Sequence, residues 1–267
     1  MSINVTRALR RLSFVGVAVA TLLGGALSGG AAAGTSAGPK ARVVAPVRTT
    51  LGGAPRGHYA SLPMTLQADG RELLAFPPAK TAAARPMTVV YLHGARGRAA
   101  NGCPAFRSGA SELGWLVCPE AIEAQPDGSW SWGADVFQQR PVVARALHAA
   151  EAQGASSAPG VAVGFSQGSY VALDLVKARF ATFRGLVLLG AELHPNVKTL
   201  RDAGVQRVAL GAGQLDAPYA SLKEEALRME SEGLEARFFD LGRVGHTYVV
   251  DDGTVLRDAI AWAGGKD

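Results

Sequence analysis

The sequence predicts one α/β domain: a mostly parallel sheet with helices on both faces and an N-terminal antiparallel hairpin. Three observations carry this. From Met87 onward, short apolar β-branched runs alternate with segments of helical period. Before them, Leu62–Gln67 alternates in polarity, Asp69-Gly70 is a strong turn signal, and Glu72–Phe76 completes a pair. Finally, the apolar run Val161–Val163 leads into Gly164-Phe165-Ser166-Gln167-Gly168, and a helix-like segment follows at once. A G-x-S-x-G between strand and helix is the context of a nucleophile elbow. Alone, the same five residues also fit a plain Gly-Ser turn.

In chain order, Met87–Leu92 reads as a strand buried on both faces. His93-Gly94-Ala95-Arg96-Gly97 follows it. Trp115–Cys118 is a short strand ending at Pro119-Glu120-Ala121, and a loop then carries Ser129-Trp130-Ser131-Trp132. Residues 135–153 place Val136, Val143, Ala146, Leu147 and Ala150 on one helical face. After the elbow strand come a helix over Gln167–Phe180, strands at Gly185–Leu189 and Val205–Leu210, and an amphipathic helix over Ala217–Glu232. A strand at Glu235–Leu241 and a helix at Thr254–Trp262 close the chain. No repeat or linker divides 61–267, so that span is expected to be one catalytic domain.

Composition sets the bounds. The chain has 267 residues, 48% hydrophobic and 18% charged, enough to bury a full core. The formal charge of +5 includes Arg7, Arg10 and Arg11; without residues 1–33 there are 24 basic and 22 acidic residues. No basic stripe remains, which argues against a nucleic-acid partner. Residues 1–33 read as a secretory signal, with an uncharged Leu12–Leu27 stretch and cleavage after Ala31-Ala32-Ala33. An uncleaved anchor is the alternative, since the uncharged stretch approaches ~20 residues. The glycines and the A-x-A site favour cleavage, hence a periplasmic or secreted protein with no stable membrane insertion. Residues 34–60, rich in Gly, Ala, Pro and Thr, read as a linker or disordered arm. The two cysteines, Cys103 and Cys118, suggest a disulfide in an exported protein. Two unpaired core thiols are the alternative. Neither has a histidine at metal-ligand spacing, and no metal site is expected.

Functional groups of a parallel sheet gather at the carboxyl ends of its strands. Two further residues sit at such ends. Gly211-Ala212-Gly213-Gln214-Leu215-Asp216 brings a carboxylate, and Val244-Gly245-His246 brings an imidazole. Ser166 is a poor nucleophile unless a base removes its proton, a role for His246, with Asp216 holding the imidazole. Asp216 also suits a helix cap, and Glu192, Asp251 and Asp252 are alternative acids. Among the other histidines, His58 lies in the arm, His148 in mid-helix, and His194 precedes Asp216. His93 is expected to brace the glycine turn. A tetrahedral intermediate needs amide donors; Gln167 N–H supplies one and Ala95 N–H the other. Gln167 is expected to act through its backbone alone. Arg96, Trp130, Trp132 and His194 are candidates for the substrate pocket, or else a solvated arginine and two core indoles.

Together these stretches resemble the α/β-hydrolase superfamily, specifically the phospholipase/carboxylesterase branch that includes acyl-protein thioesterases. The resemblance rests on Leu92-His93-Gly94, Trp115–Ala121, Gly164–Gly168, Gly211–Asp216 and Gly245-His246, across roughly residues 86–262. It implies an α/β-hydrolase fold, a Ser166–Asp216–His246 triad in the superfamily's chain order, no cofactor, and a small-molecule or lipid-like ester as substrate. Two stretches depart from the pattern: Arg96-Gly97 where Gly-Asp often stands, and Ala217-Pro218-Tyr219 where Val-Val-Pro often follows the acid. The branch is also largely cytosolic. A peptidase or amidase on the same fold, and a binding protein retaining the scaffold, are the other readings. Oligomeric state is left open.

Overall fold

A computed structural model describes residues 63–68, 71–79, 86–157, 159–180, 182–250 and 253–266. The expected signal and arm, the Asp69-Gly70 turn, His58, Asp251 and Asp252 lie outside the described residues. An antiparallel pair opens the fold, β1 (Met64–Ala68) and β2 (Arg71–Phe76). Then come β3 (Met87–Leu92), α1 (Ala99–Leu113), β4 (Gly114–Pro119) and a two-residue pair, β5 (Glu123–Ala124) with β6 (Trp130–Ser131). The chain continues through α2 (Val136–Glu151), β7 (Pro159–Phe165), α3 (Gln167–Lys177), β8 (Gly185–Leu189) and α4 (Val197–Asp202). It ends with β9 (Arg207–Ala212), α5 (Tyr219–Ser231), β10 (Glu235–Asp240) and α6 (Thr254–Ala263).

Eight strands form one sheet in the order β1-β2-β4-β3-β7-β8-β9-β10. From β4 to β10 every neighbouring pair is parallel, and β2 meets β4 antiparallel. Strand side chains alternate between faces. Val89, Tyr91, Val161, Val163 and Val187 pack against α1 and α6. Val90, Leu92, Ala162, Leu186 and Leu188 pack against α2, α3, α4 and α5. Strands sealed on both sides explain the continuous apolar runs of the sequence. The edge strand β1 instead alternates between half-buried and exposed residues.

The chain leaves β3 through α1 toward β4 on one side. It leaves β7 through α3 toward β8 on the other. Between β3 and β7 the winding direction reverses, and ligands in open α/β sheets bind at that switch point, beyond the carboxyl ends. The loop holding His93–Gly97 and the turn holding Ser166 flank it.

Helix α1, the β5–β6 pair, α4 and β9 depart from expectation. Helix α1 carries no sequence signal because Gly102, Pro104 and Gly109 interrupt its helical pattern. It forms because Cys103, Phe106, Ala110 and Leu113 bury one face on the sheet, and tertiary burial overrides weak propensity. The β5–β6 pair and α4 are too short to show a period. Strand β9 begins two residues later than expected, because Val205 N–H still closes the turn after α4, donating to Leu200 O at 3.0 Å.

Cys103 of α1 and Cys118 of β4 form a disulfide across 15 residues. No helix of the described residues is long and apolar enough to cross a membrane. Closing such a loop contributes about 3 kcal/mol in the chain-entropy account. The Cys103→Ala/Cys118→Ala variant is therefore expected to lose about that much in urea unfolding. The denatured, unreduced protein should show no titratable thiol.

Candidate active site

The turn after β7 is as tight as its glycines suggest. A Cβ on Gly168 would lie 1.9 Å from Leu92 O, and one on Gly164 would lie 2.5 Å from the Gly168 backbone. Ser166 itself sits at φ 51°, ψ −118°, a left-handed conformation that a side-chain-bearing residue adopts only under local constraint. Its N–H donates to Leu189 O at 2.8 Å. Ser169, which the sequence did not single out, locks the turn from beneath. Its buried hydroxyl donates to Gly164 O at 2.9 Å and accepts from Leu189 N–H at 3.1 Å.

His246 Nδ1 lies 3.0 Å from Asp216 Oδ2 and 3.1 Å from Oδ1. The Asp216 side chain is 5% exposed and that of His246 51%. The acid is thus sealed while the ring keeps an open edge. The two loops are joined by main-chain bonds, Gln214 N–H to Gly242 O at 2.9 Å and Leu215 N–H to Val244 O at 3.0 Å. Gly213 allows this approach: a Cβ there would stand 2.1 Å from Val244 O. Gly190, after β8, makes room on the other side. A Cβ there would lie 3.3 Å from both Asp216 Oδ2 and His246 Cε1. The Phe165 ring, next to Ser166, packs 4.9 Å from the His246 ring. Asp216 does not cap α5, whose first helical residue is Tyr219 and whose N-cap is Pro218. Glu192 is exposed, and its carbonyl accepts from Tyr170 OH.

Asp240, at the end of β10, ties the same two loops from outside. Its carboxylate accepts from Gln214 Nε2 (3.0 Å), Tyr219 OH (2.8 Å) and Gly242 N–H (2.8 Å). The Gln214 hydrogen bond, followed by those from Tyr219 and Gly242, holds the carboxyl below its ordinary 3.8. The sequence offered no signal for this residue beyond its place at a strand end.

The loop after β3 reaches the same point. A Cβ on Gly94 would lie 3.3 Å from Ser166 Cβ. Among the described residues, neither Ala95 N–H nor Gln167 N–H donates to a protein acceptor, so both remain open to a ligand. His93 braces the turn as expected, with Nδ1 2.8 Å from Gly94 O. Arg96 stands at φ 55° on this loop. Its N–H donates to Ser131 Oγ at 3.1 Å, and its guanidinium pairs with Asp127 at 2.5 Å. Arg96 is therefore charge-compensated. Trp132 is wholly buried. Its indole N–H donates to His93 O and its main-chain N–H to Gln167 Oε1, both at 2.9 Å. The Gln167 side chain thus holds Trp132, where the sequence put weight on its backbone alone. Trp130 is half-buried, with the Arg71 guanidinium 5.5 Å from its ring. His194 is bound to α5, its Nδ1 2.9 Å from Glu225 Oε2.

No protein-family model matches this chain, and neither does any curated protein sequence. Solved structures do match. One is esterase PE8, at 22% identity and a TM-score of 0.52, covering 74% of this chain and 98% of that one. Another is the Bacillus cereus carboxylesterase, at 18% identity and a TM-score of 0.52, covering 72% and 92%. An uncharacterized protein from Bacillus cereus ATCC 10987 superposes at a TM-score of 0.56 and 17% identity, over 67% of this chain but only 59% of its own length. The chain has the α/β-hydrolase fold. Within that fold, the loops after β3, β7, β9 and β10 bring Ala95, Ser166, Asp216 and His246 to the carboxyl edge of one sheet.

Gly168→Ala should cost about 3 kcal/mol or more in denaturant unfolding, because Leu92 O belongs to a central strand and has little room to yield. Asp240→Asn should remove an acid-dependent share of stability. The depressed carboxyl stabilises the fold fully above its unfolded-state value near 3.8, and that share is lost as pH falls through the lower folded-state value. The expected result is a melting temperature that falls less steeply below pH 4 in the variant than in the parent.

Proposed function

We propose that this protein is a serine hydrolase that cleaves carboxylic esters through an acyl-enzyme on Ser166. One observation carries the reading: the imidazole of His246, held 3.0 Å from the buried Asp216 carboxylate, packs on Phe165 beside the strained Ser166. Asp216 accepts the Nδ1–H, which leaves Nε2 as the basic nitrogen.

Nε2 takes the Ser166 Oγ proton as Oγ attacks the ester carbonyl carbon. The carbonyl oxygen becomes an anion and accepts from the Ala95 and Gln167 amides. Collapse breaks the bond to the alkoxy oxygen, and His246 passes its proton to the departing alcohol. Water, deprotonated by the same Nε2, then attacks the acyl carbon. Ser166 leaves with the proton and the carboxylic acid is released. Every step uses groups of the chain itself. The esterase and carboxylesterase among the similar structures support the ester class. The disulfide suits an oxidising compartment, in keeping with residues 1–33 as an export signal and a periplasmic or secreted enzyme.

A fluorophosphonate should label wild-type protein at Ser166 and leave Ser166→Ala unlabelled. p-Nitrophenyl esters of graded acyl length should turn over, and peptide anilides should not. Asp216→Asn should lower kcat by about 10⁴-fold with the fold intact. Folded protein that neither labels nor turns over any ester would refute the reading, and faster cleavage of anilides would reassign it to a peptidase.

A further inference from the structure

We infer that Glu120 and His93 are positioning residues that aim the Ala95 amide at the reacting carbonyl oxygen. The inference rests on the proposed hydrolase reading. His93 is 1% exposed, below the loop that follows β3. Its Nδ1 lies 2.8 Å from Gly94 O, and Gly97 N–H donates to the same oxygen at 3.1 Å. A carbonyl oxygen only accepts, so Nδ1 carries a hydrogen. Across a trans peptide, the C=O of one residue and the N–H of the next point in opposite directions. Two donors that fix the Gly94 carbonyl therefore also fix the opposite direction of Ala95 N–H, on a loop where a Cβ on Gly94 would lie 3.3 Å from Ser166 Cβ.

What holds the ring is Glu120. Its Oε1 lies 2.8 Å from His93 Nε2 and accepts Ala99 N–H, at the first residue of α1, at 3.0 Å. Its side chain is only 12% exposed. Arg98 Nε lies 3.9 Å from the other oxygen. The N-terminus of α1 and the Arg98 guanidinium both lie beside this carboxylate. Ala121 N–H also approaches Nε2, at 3.2 Å, but one nitrogen cannot donate to Glu120 and accept from Ala121 together. The shorter contact prevails; with Nδ1 also donating, the ring is then an imidazolium, matched by the Glu120 carboxylate. No side chain caps α1 at Arg98, so Glu120 serves as a remote cap and as the ring's anchor. The Cys103–Cys118 disulfide ties α1 to β4 near both ends of this link. A rigid path thus runs from α1 through Glu120, His93 and the Gly94 carbonyl to the Ala95 amide.

The amide hydrogen bond matters most when the oxygen carries charge, so its misalignment should lower kcat and leave KM nearly unchanged. The experiment compares full-length wild type, Glu120→Ala and Glu120→Gln with a p-nitrophenyl ester. Active sites are counted by exhaustive fluorophosphonate titration of Ser166. Glu120→Ala is expected to lose about tenfold or more in kcat per titrated site, short of the ~10²-fold or greater loss of a whole oxyanion donor, with KM within about twofold. Glu120→Gln keeps an oxygen for both Ala99 N–H and His93 and should recover part of the loss while remaining below wild type. A merely structural role would lower the melting temperature or the number of titrated sites and leave kcat per site unchanged. That result in Glu120→Ala, or in Glu120→Gln if the alanine variant does not fold, overturns the inference. Wild-type protein that neither labels nor turns over would instead sink the hydrolase reading beneath it.

Discussion

The end of β3 and the start of α3 touch with no side chain between them. A single methyl group on Gly168 would stand 1.9 Å from Leu92 O, so the first turn of α3 rests directly on the last carbonyl of the neighbouring strand. Parallel strands are only about 4.8 Å apart. Two loops leaving adjacent strands at this spacing can present amides to one atom, provided that nothing bulky separates them. Gly164 keeps the elbow closed from the other side, and Ser166 takes up the remaining strain at φ 51°. The positions of Ala95, Gln167 and the serine hydroxyl all descend from this contact.

Beyond the strand ends the ladder stops, and each loop needs other bonds to keep its direction. The fold supplies these differently on its two sides. On the acid and histidine side, β9 and β10 are adjacent, so their outgoing loops still exchange main-chain bonds, and Asp240 joins them with one carboxylate. On the other side, the loop after β3 meets β6 in a single main-chain bridge, Trp130 N–H donating to Gly97 O at 2.9 Å. Side chains supply the rest: His93 on Glu120, Trp132 on His93 O, and Ser131 on Arg96 N–H. The small β5–β6 pair, which looks incidental as a sheet, carries Ser131 and leads directly into Trp132.

Much of the fold was legible because a parallel sheet covered on both faces writes itself as apolar runs separated by helical periods. The elbow was legible because so tight a turn admits few residues, and the acid and histidine loops because each follows such a run. Helix α1 was not. Gly102, Pro104 and Gly109 argue against a helix locally, and only burial of Cys103, Phe106 and Leu113 between the sheet and α6 outweighs them. Trp130, Trp132, Arg96 and His194 read as pocket candidates because large or charged residues near strand ends often line sites. Trp132 instead fills the core under the loop after β3, and Arg96 and His194 are matched by Asp127 and Glu225.

By itself the sequence determined the class of fold, the place of the tight turn after β7, and Ser166, Asp216 and His246 as candidates in chain order. Each of these depends on local chemistry: a period of burial, a turn that excludes side chains, or a residue type at a strand end. Only the tertiary structure decided which carboxylate meets His246, that the Gln167 side chain holds Trp132, and what lies beneath His93. Glu120 is 27 positions after His93, just past the end of the neighbouring strand β4. No period or motif links residues that become neighbours only when two strands and a helix end pack together.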